Sequence, residues 1–408
     1  MAEVVPFHGL RYDESKAGPL SALISPPYDV ISDALREELY GRSAHNFVRV
    51  EWGKDEEGDT ATNDRYTRAH ASLTRWLERG ILRVDHAPAF YLYDQYFELA
   101  GERVRRRGFF GALRLYQEGR GIVRPHEHTF PKAKSDRLRL LAMTRVNTSP
   151  VFGMYDDARG EVATALDRWM AAGPARLVAD THVGTERHLV WALDDKPTAA
   201  KLRDALKDKR IYIADGHHRY ETALEYAAQQ HEEGHVELQE DSVNYVLTFL
   251  TSLDDPGLRI FPTHRIVRGA RAAVDAAIAR SFETAPADPV GPLGPRGLVL
   301  ARDGALSALR LRPDADLSQM PEAWRALPVA HAELILGPAR EAGAEISYEH
   351  DAEQAIAAAR EGADAVLVEA VSARTLQRVA DAWQRLPQKT TYFYPKVPAG
   401  LVLRPLGD

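Results

Sequence analysis

The run Arg210-Ile211-Tyr212-Ile213-Ala214, followed at once by Asp215-Gly216-His217-His218-Arg219, constrains this chain more than any other feature. An all-apolar stretch of this length reads as a strand covered on both faces, as in the centre of an α/β sheet. A helix is expected from Tyr220 to Gln230. Such a strand-to-helix turn aims backbone N–H groups and a positive helix end at whatever lies above it. Gly216 permits close backbone approach, Arg219 offers a planar fork, and His217 and His218 add donors. Asp215 could hold a metal ion or orient a histidine. The plainer reading is an N-cap aspartate with histidines lining a helix start. Four polar residues among the five that follow an apolar strand favour the anion cradle.

The rest of the chain reads as α/β throughout. Its 408 residues predict two or three domains: 1–85 as an N-terminal α/β region, 86–268 as a core carrying the site, and 269–408 as a C-terminal α/β domain. Ser25 to Val30 is extended because of its prolines, and Ser32 caps a helix to Leu39. His45 to Glu51 is expected as a strand, and Tyr66 to Arg79 as a helix ended by Gly80. Phe90 to Tyr93 and Val104 to Leu115 form an antiparallel hairpin turning at Gly101. Strands at 151–154, 187–192 and 245–250 and helices at 162–170 and 196–209 follow. Pro286 to Pro295 reads as a linker or loop, and strand and helix alternate after it, ending on the strand Thr390 to Tyr394.

Composition removes several functions. There are 52 basic against 59 acidic residues, a net charge of −7, so no bulk field gathers nucleic acid or acidic lipid. With no cysteine there is no disulfide, thiolate metal site or sulfur nucleophile. No stretch approaches the roughly 20 apolar residues of a membrane span, and the N-terminus lacks a secretory pattern. A cytoplasmic protein acting on a small molecule is expected, with homo-oligomerisation left open. Ten of the 52 basic residues are lysines, leaving 42 arginines. Four of those ten, Lys132, Lys134, Lys389 and Lys396, fall in two short segments, a weak sign that an ammonium is wanted there.

A second polar cluster, Arg124-Pro125-His126-Glu127-His128-Thr129, precedes Lys132, Lys134 and Arg137. It reads as a metal site, as a general base (Glu127) beside a basic strip, or as a charged surface loop. The literal His231-Glu232-Glu233-Gly234-His235 is expected to be a solvated helix end, since Gly234 breaks the turn a zinc site needs. Thr263-His264-Arg265 and Gln388-Lys389-Thr390-Thr391-Tyr392-Phe393-Tyr394-Pro395-Lys396 add basic and hydroxyl groups beside aromatic strands. Walker-type and dinucleotide glycine motifs are absent.

Together, Pro26-Pro27-Tyr28-Asp29-Val30-Ile31, Pro125 to Thr129, Ala214 to Tyr220, Pro262 to Arg265 and Gln388 to Lys396 resemble a bacterial and archaeal family of unknown function, nearly end to end. More distantly, Pro-His-Glu followed by Asp-Gly-His-x-Arg is similar to the free-serine kinases of the ParB/sulfiredoxin-like fold. That resemblance implies an α/β (α+β) fold: a ParB/sulfiredoxin-like core with N- and C-terminal additions. It implies phosphoryl transfer from ATP, ADP or pyrophosphate, with Mg²⁺, to the hydroxyl of free serine or a similar metabolite. Glu127 would be the base, with Asp215 and His218 catalytic and Asp215 also the metal ligand. Gly216, His217, Arg219, His126, Thr129, Lys132, Lys134, His264, Arg265, Lys389 and Lys396 would contact phosphate. The alternative is a non-catalytic phosphate- or nucleotide-binding regulatory protein.

Overall fold

The computed structural model describes residues 1–127, 131–172, 175–235, 242–287 and 297–407, without the side chains of 131–133. The chain divides into two units. One comprises Met1–Pro125, Thr129–Leu258 and Pro395–Asp408, and the other His126–His128 and Arg259–Tyr394. This division differs from the expected boundaries. Residues 1–85 share a unit with the sheet that follows, and the last residues return to that unit.

The main sheet of the first unit is built from β1 (Val4–Val5), β2 (Phe90–Leu99), β3 (Glu102–Arg114), β4 (Val123–Arg124), β5 (Val151–Tyr155), β6 (Arg176–Val183), β7 (Glu186–Leu193), β8 (Ile211–Asp215) and β9 (Tyr245–Ser252). Among the described residues these nine make one mixed sheet in the order β4-β8-β5-β9-β3-β2-β7-β6, with β1 on β3. The β2–β3 hairpin closes through Ala100 and Gly101, both at positive φ; that backbone twist suits a two-residue hairpin turn. β8 runs parallel to β4 and antiparallel to β5, and its residues Ile211 to Ala214 are all buried. Ile211 and Ile213 each contribute about 1.5–3 kcal/mol on leaving water.

The helices of this unit include α1 (Asp33–Arg42), α2 (Val48–Glu51), α3 (Arg65–Glu78), α4 (Pro131–Thr144), α5 (Glu161–Ala171), α6 (Lys196–Leu206) and α7 (His217–Glu232). Ser32 caps α1 as expected. The strand expected at His45–Glu51 is instead the short helix α2. Asn46 is the reason: its amide donates to the carbonyls of Ala22 and Ile24, and its Oδ1 accepts from Val48 N–H, capping a helical turn. β6 lies outside the expected strands. The 231–235 segment is a helix end, as expected, with Gly234 at positive φ.

In the second unit β10 (Arg259–Phe261) pairs with the strand Tyr392–Tyr394. Its larger sheet contains β11 (His264–Arg268), β12 (Phe282–Pro286), β13 (Gly297–Arg302), β14 (Ala305–Leu311), β15 (Glu345–Glu349) and β16 (Asp364–Leu367). Their order is β12-β14-β13-β16-β11-β15, antiparallel at every pairing. The helix Ala352–Arg360 packs Ala355 and Ala359 against Ile266, Val299 and Ala365; small residues let helix and sheet approach closely. Most of the expected linker at 286–295 falls outside the described residues. Among the described residues no helix is long and apolar enough to cross a membrane.

Candidate functional site

The structure sorts the sequence-selected residues into two clusters, one in each unit. In the first, β8 ends at Asp215 and α7 begins at His217, three residues earlier than expected. Gly216 adopts the left-handed backbone (φ +85°) and no side chain caps the helix. A Cβ on Gly216 would come within 2.9 Å of Arg219 Nε, so this position needs glycine for space as well as for φ.

Arg219 is not the free fork the sequence suggests. Its Nη2 donates to Asp215 Oδ2 (2.8 Å) and its Nη1 to the carbonyl of Pro150. Its Nε is buried and without a hydrogen-bond partner among the described residues. Lys396 Nζ donates to the other carboxylate oxygen, Oδ1, at 2.9 Å. Burial works to raise the Asp215 pKa, but Lys396 and Arg219 overcome it and hold the carboxyl well below the usual range.

Lys396 is aimed by a buried polar scaffold that sequence reasoning missed. Arg106, fully buried, donates from Nη2 to the Pro395 carbonyl (2.7 Å) and to Gln95 Oε1. Gln95 Nε2 donates to the Lys396 carbonyl (3.1 Å) and to Glu186 Oε2 (2.7 Å). The Arg106 guanidinium also lies over Phe152, 5.0 Å from the ring centroid. The one signal in the sequence is an arginine on an otherwise apolar inner face of β3.

The Pro26-Pro27-Tyr28-Asp29 segment belongs to the same unit. The Arg137 guanidinium stacks 4.1 Å from the Tyr28 ring centroid, and its Nη1 donates to the Glu51 carbonyl (2.9 Å). The fully buried Glu51 accepts from Ser149 Oγ at 2.8 Å. A cavity of roughly 30 Å³, room for a water molecule, is lined by Arg137, Asn147, Thr148, Ser149, Arg219 and Thr222. His217 is buried and His218 partly so. Lys134 pairs with Glu225 (2.8 Å), a bridge between α4 and α7. Thr129 and the Lys132 side chain lie outside the described residues.

The second unit holds His126, Glu127, His264, Arg265 and Lys389. Glu127 Oε1 accepts from the Lys389 N–H (2.9 Å), and the Glu127 carbonyl accepts from Arg385 Nη1 (3.0 Å). Lys389 is in the left-handed region (φ +54°), uncommon for lysine. His126 Nε2 lies 3.3 Å from Thr391 Oγ1. His264 Nδ1 accepts from Val368 N–H (3.2 Å), which leaves its proton on Nε2. Burial, aided by Arg265, depresses the His264 pKa to about 4.

The expected metal role of Asp215 does not fit this arrangement, because both carboxylate oxygens already carry cationic donors. Among the described residues no group of three or more metal-ligating side chains occurs. What the first cluster offers is a strand–helix turn whose acid is already neutralised by two cations. The second offers a carboxylate beside a strained, lysine-bearing turn.

Solved structures resemble this chain at low similarity. A conserved hypothetical protein from Pyrococcus furiosus is 12% identical over 68% of this chain and 90% of its own, with a TM-score of 0.37. A free serine kinase in complex with AMP is 14% identical over 67% of this chain and 83% of its own, at 0.36. SbnI with C-terminal truncation from Staphylococcus aureus is 10% identical over 68% and 81%, at 0.37. No curated protein matches. A family match covers residues 4–330, and the chain belongs to that family, the protein of unknown function DUF1015.

Proposed function

We propose that the chain is a small-molecule phosphotransferase. It would move a phosphoryl group from a nucleotide or pyrophosphate to the hydroxyl of free serine or a similar metabolite. The observation that carries the reading is the Asp215 turn. Phosphoryl transfer depends mainly on positioning and on charge stabilisation. Lys396, held on Asp215 at 2.9 Å by a buried scaffold, is a cation placed in advance beside the start of α7. When phosphate arrives, the lysine can share its charge between that anion and Asp215 without a large movement. Arg219 fixes Asp215 and the turn, so it is a positioning residue. In the reaction the acceptor hydroxyl gives up its proton and its oxygen bonds to phosphorus as the bond to the leaving phosphate oxygen breaks. The motif resemblance assigns that proton to Glu127.

The hydrogen bond from Lys389 N–H to Glu127 favours the second reading, a phosphate-binding protein in which Glu127 only braces a turn. The test is phosphoserine formation by the purified full chain with free serine and, in turn, ATP, ADP and pyrophosphate, in buffer containing Mg²⁺. Product from one donor, cut at least a hundredfold in Lys396→Met, supports the enzyme. No product with any donor, alongside binding of ADP or pyrophosphate, replaces it with the binding protein.

A further inference from the structure

Arg265 lies on β11, flanked by β15 and β16, and is completely buried. Its Nη1 donates to the Thr263 carbonyl. Its Nε and Nη2 have no hydrogen-bond partner among the described residues. Those two nitrogens form the edge of a guanidinium that takes both oxygens of a carboxylate side by side. A buried cation with that edge unfilled costs the fold free energy that an incoming anion would return. Tyr348, one of the few large exposed hydrophobic side chains, lies over the guanidinium with its ring centroid 5.9 Å away.

The surroundings select the kind of anion. Burial pushes the Arg265 pKa down, against the pull of Glu333, Tyr348 and Glu127. Two acidic neighbours tolerate a singly charged carboxylate better than a doubly charged phosphate, and they welcome an ammonium group. His264, depressed to about 4, is neutral at pH 7 and adds no competing charge.

We propose that Arg265 anchors the carboxylate of a small amino acid bearing a hydroxyl group. That this ligand is the phosphoryl acceptor rests on the function proposed above; that a carboxylate is anchored does not. The experiment titrates the full chain by calorimetry with L-serine, with L-serinamide, which lacks the carboxylate, and with inorganic phosphate. The expected result is that wild type binds L-serine at least tenfold tighter than L-serinamide, that Arg265→Gln binds the two alike, and that phosphate binding is the same in both proteins. Unchanged serine affinity in Arg265→Gln overturns the proposal, as does a loss confined to phosphate, or failure of wild type to bind L-serine.

Folding gives a separate check. Arg265→Met should melt at or above the wild-type temperature, and a drop of several degrees would make the guanidinium structural and overturn the anchor. The two proposals also fail separately. Phosphoserine made by Arg265→Gln with an unchanged KM for serine removes the anchor alone, whereas carboxylate discrimination without turnover removes the kinase reading alone.

Discussion

Arg106 and Arg265 are both wholly buried, one in each unit. Burial depresses the pKa of each, and each stands beside a histidine that it helps to keep neutral. They differ in how their nitrogens are used. Arg106 holds Gln95 and the Pro395 carbonyl and lies over Phe152, so its charge fixes the segment that carries Lys396. Arg265 holds one carbonyl and leaves its bidentate edge unfilled. The difference teaches that burial of a charge is not itself a functional signal. What the guanidinium binds decides whether it builds the fold or awaits a ligand.

The histidines give the largest effect. Burial, reinforced by Arg106, takes His188 to about 3, and burial with Arg265 takes His264 to about 4, from an ordinary 6.5. Between pH 6.5 and those values the unfolded chain binds a proton that the folded chain refuses. Stability therefore falls as pH drops through that window and stops falling below the folded pKa. At about 1.4 kcal/mol per pH unit the loss reaches about 5 kcal/mol for His188 and about 3 kcal/mol for His264. Urea unfolding at pH 7 and pH 4 should show an acid loss about 3 kcal/mol smaller than wild type in both His188→Gln and His264→Gln, since the two windows coincide down to pH 4 and only His188 continues below it. Equal acid loss in all three proteins would break the parallel between the two arginines.

Next in size is the contrast between the arginines themselves. Arg106→Met strands the Gln95 Oε1 and Pro395 carbonyl acceptors in the interior, and losing a buried charged partner costs about 3 kcal/mol. Arg265→Met leaves only the Thr263 carbonyl, so its cost should lie within about 1 kcal/mol of zero. Urea midpoints measured side by side decide it. Similar losses in both would make Arg265 as structural as Arg106.

Only some of this was legible in the sequence. Strand β8 was, because four consecutive apolar residues before a glycine turn admit few other structures. The sequence predicts the start of α7 at Tyr220; Gly216, at φ +85°, completes the turn alone and lets the helix begin at His217. The His45–Glu51 strand failed because Asn46 bonds its own neighbourhood, which apolar alternation does not register. The scaffold of Lys396 was out of reach, since Arg106 and Pro395 lie 289 positions apart and no local pattern links them. The same separation explains why the sequence places the last residues in the C-terminal domain when they belong to the first unit.

The smallest expected effect on stability is the most informative for Glu127. Its Oε1 accepts the Lys389 N–H, and that bond helps hold lysine in a left-handed backbone that costs roughly 1–2 kcal/mol. Glutamine keeps a carbonyl oxygen at the same reach, so Glu127→Gln should unfold within about 0.5 kcal/mol of wild type, whereas Glu127→Ala should lose about 1 kcal/mol. Lys389→Gly, which relieves the backbone, should recover that loss in the alanine background. With the turn intact in Glu127→Gln, any fall in phosphoserine formation reports on the proton the carboxylate would have taken, because glutamine cannot accept it. A glutamine variant with full turnover, beside an alanine variant that has lost it, would make Glu127 a brace for the Lys389 turn. Loss of turnover in both, with only the alanine form destabilised, would make it the base.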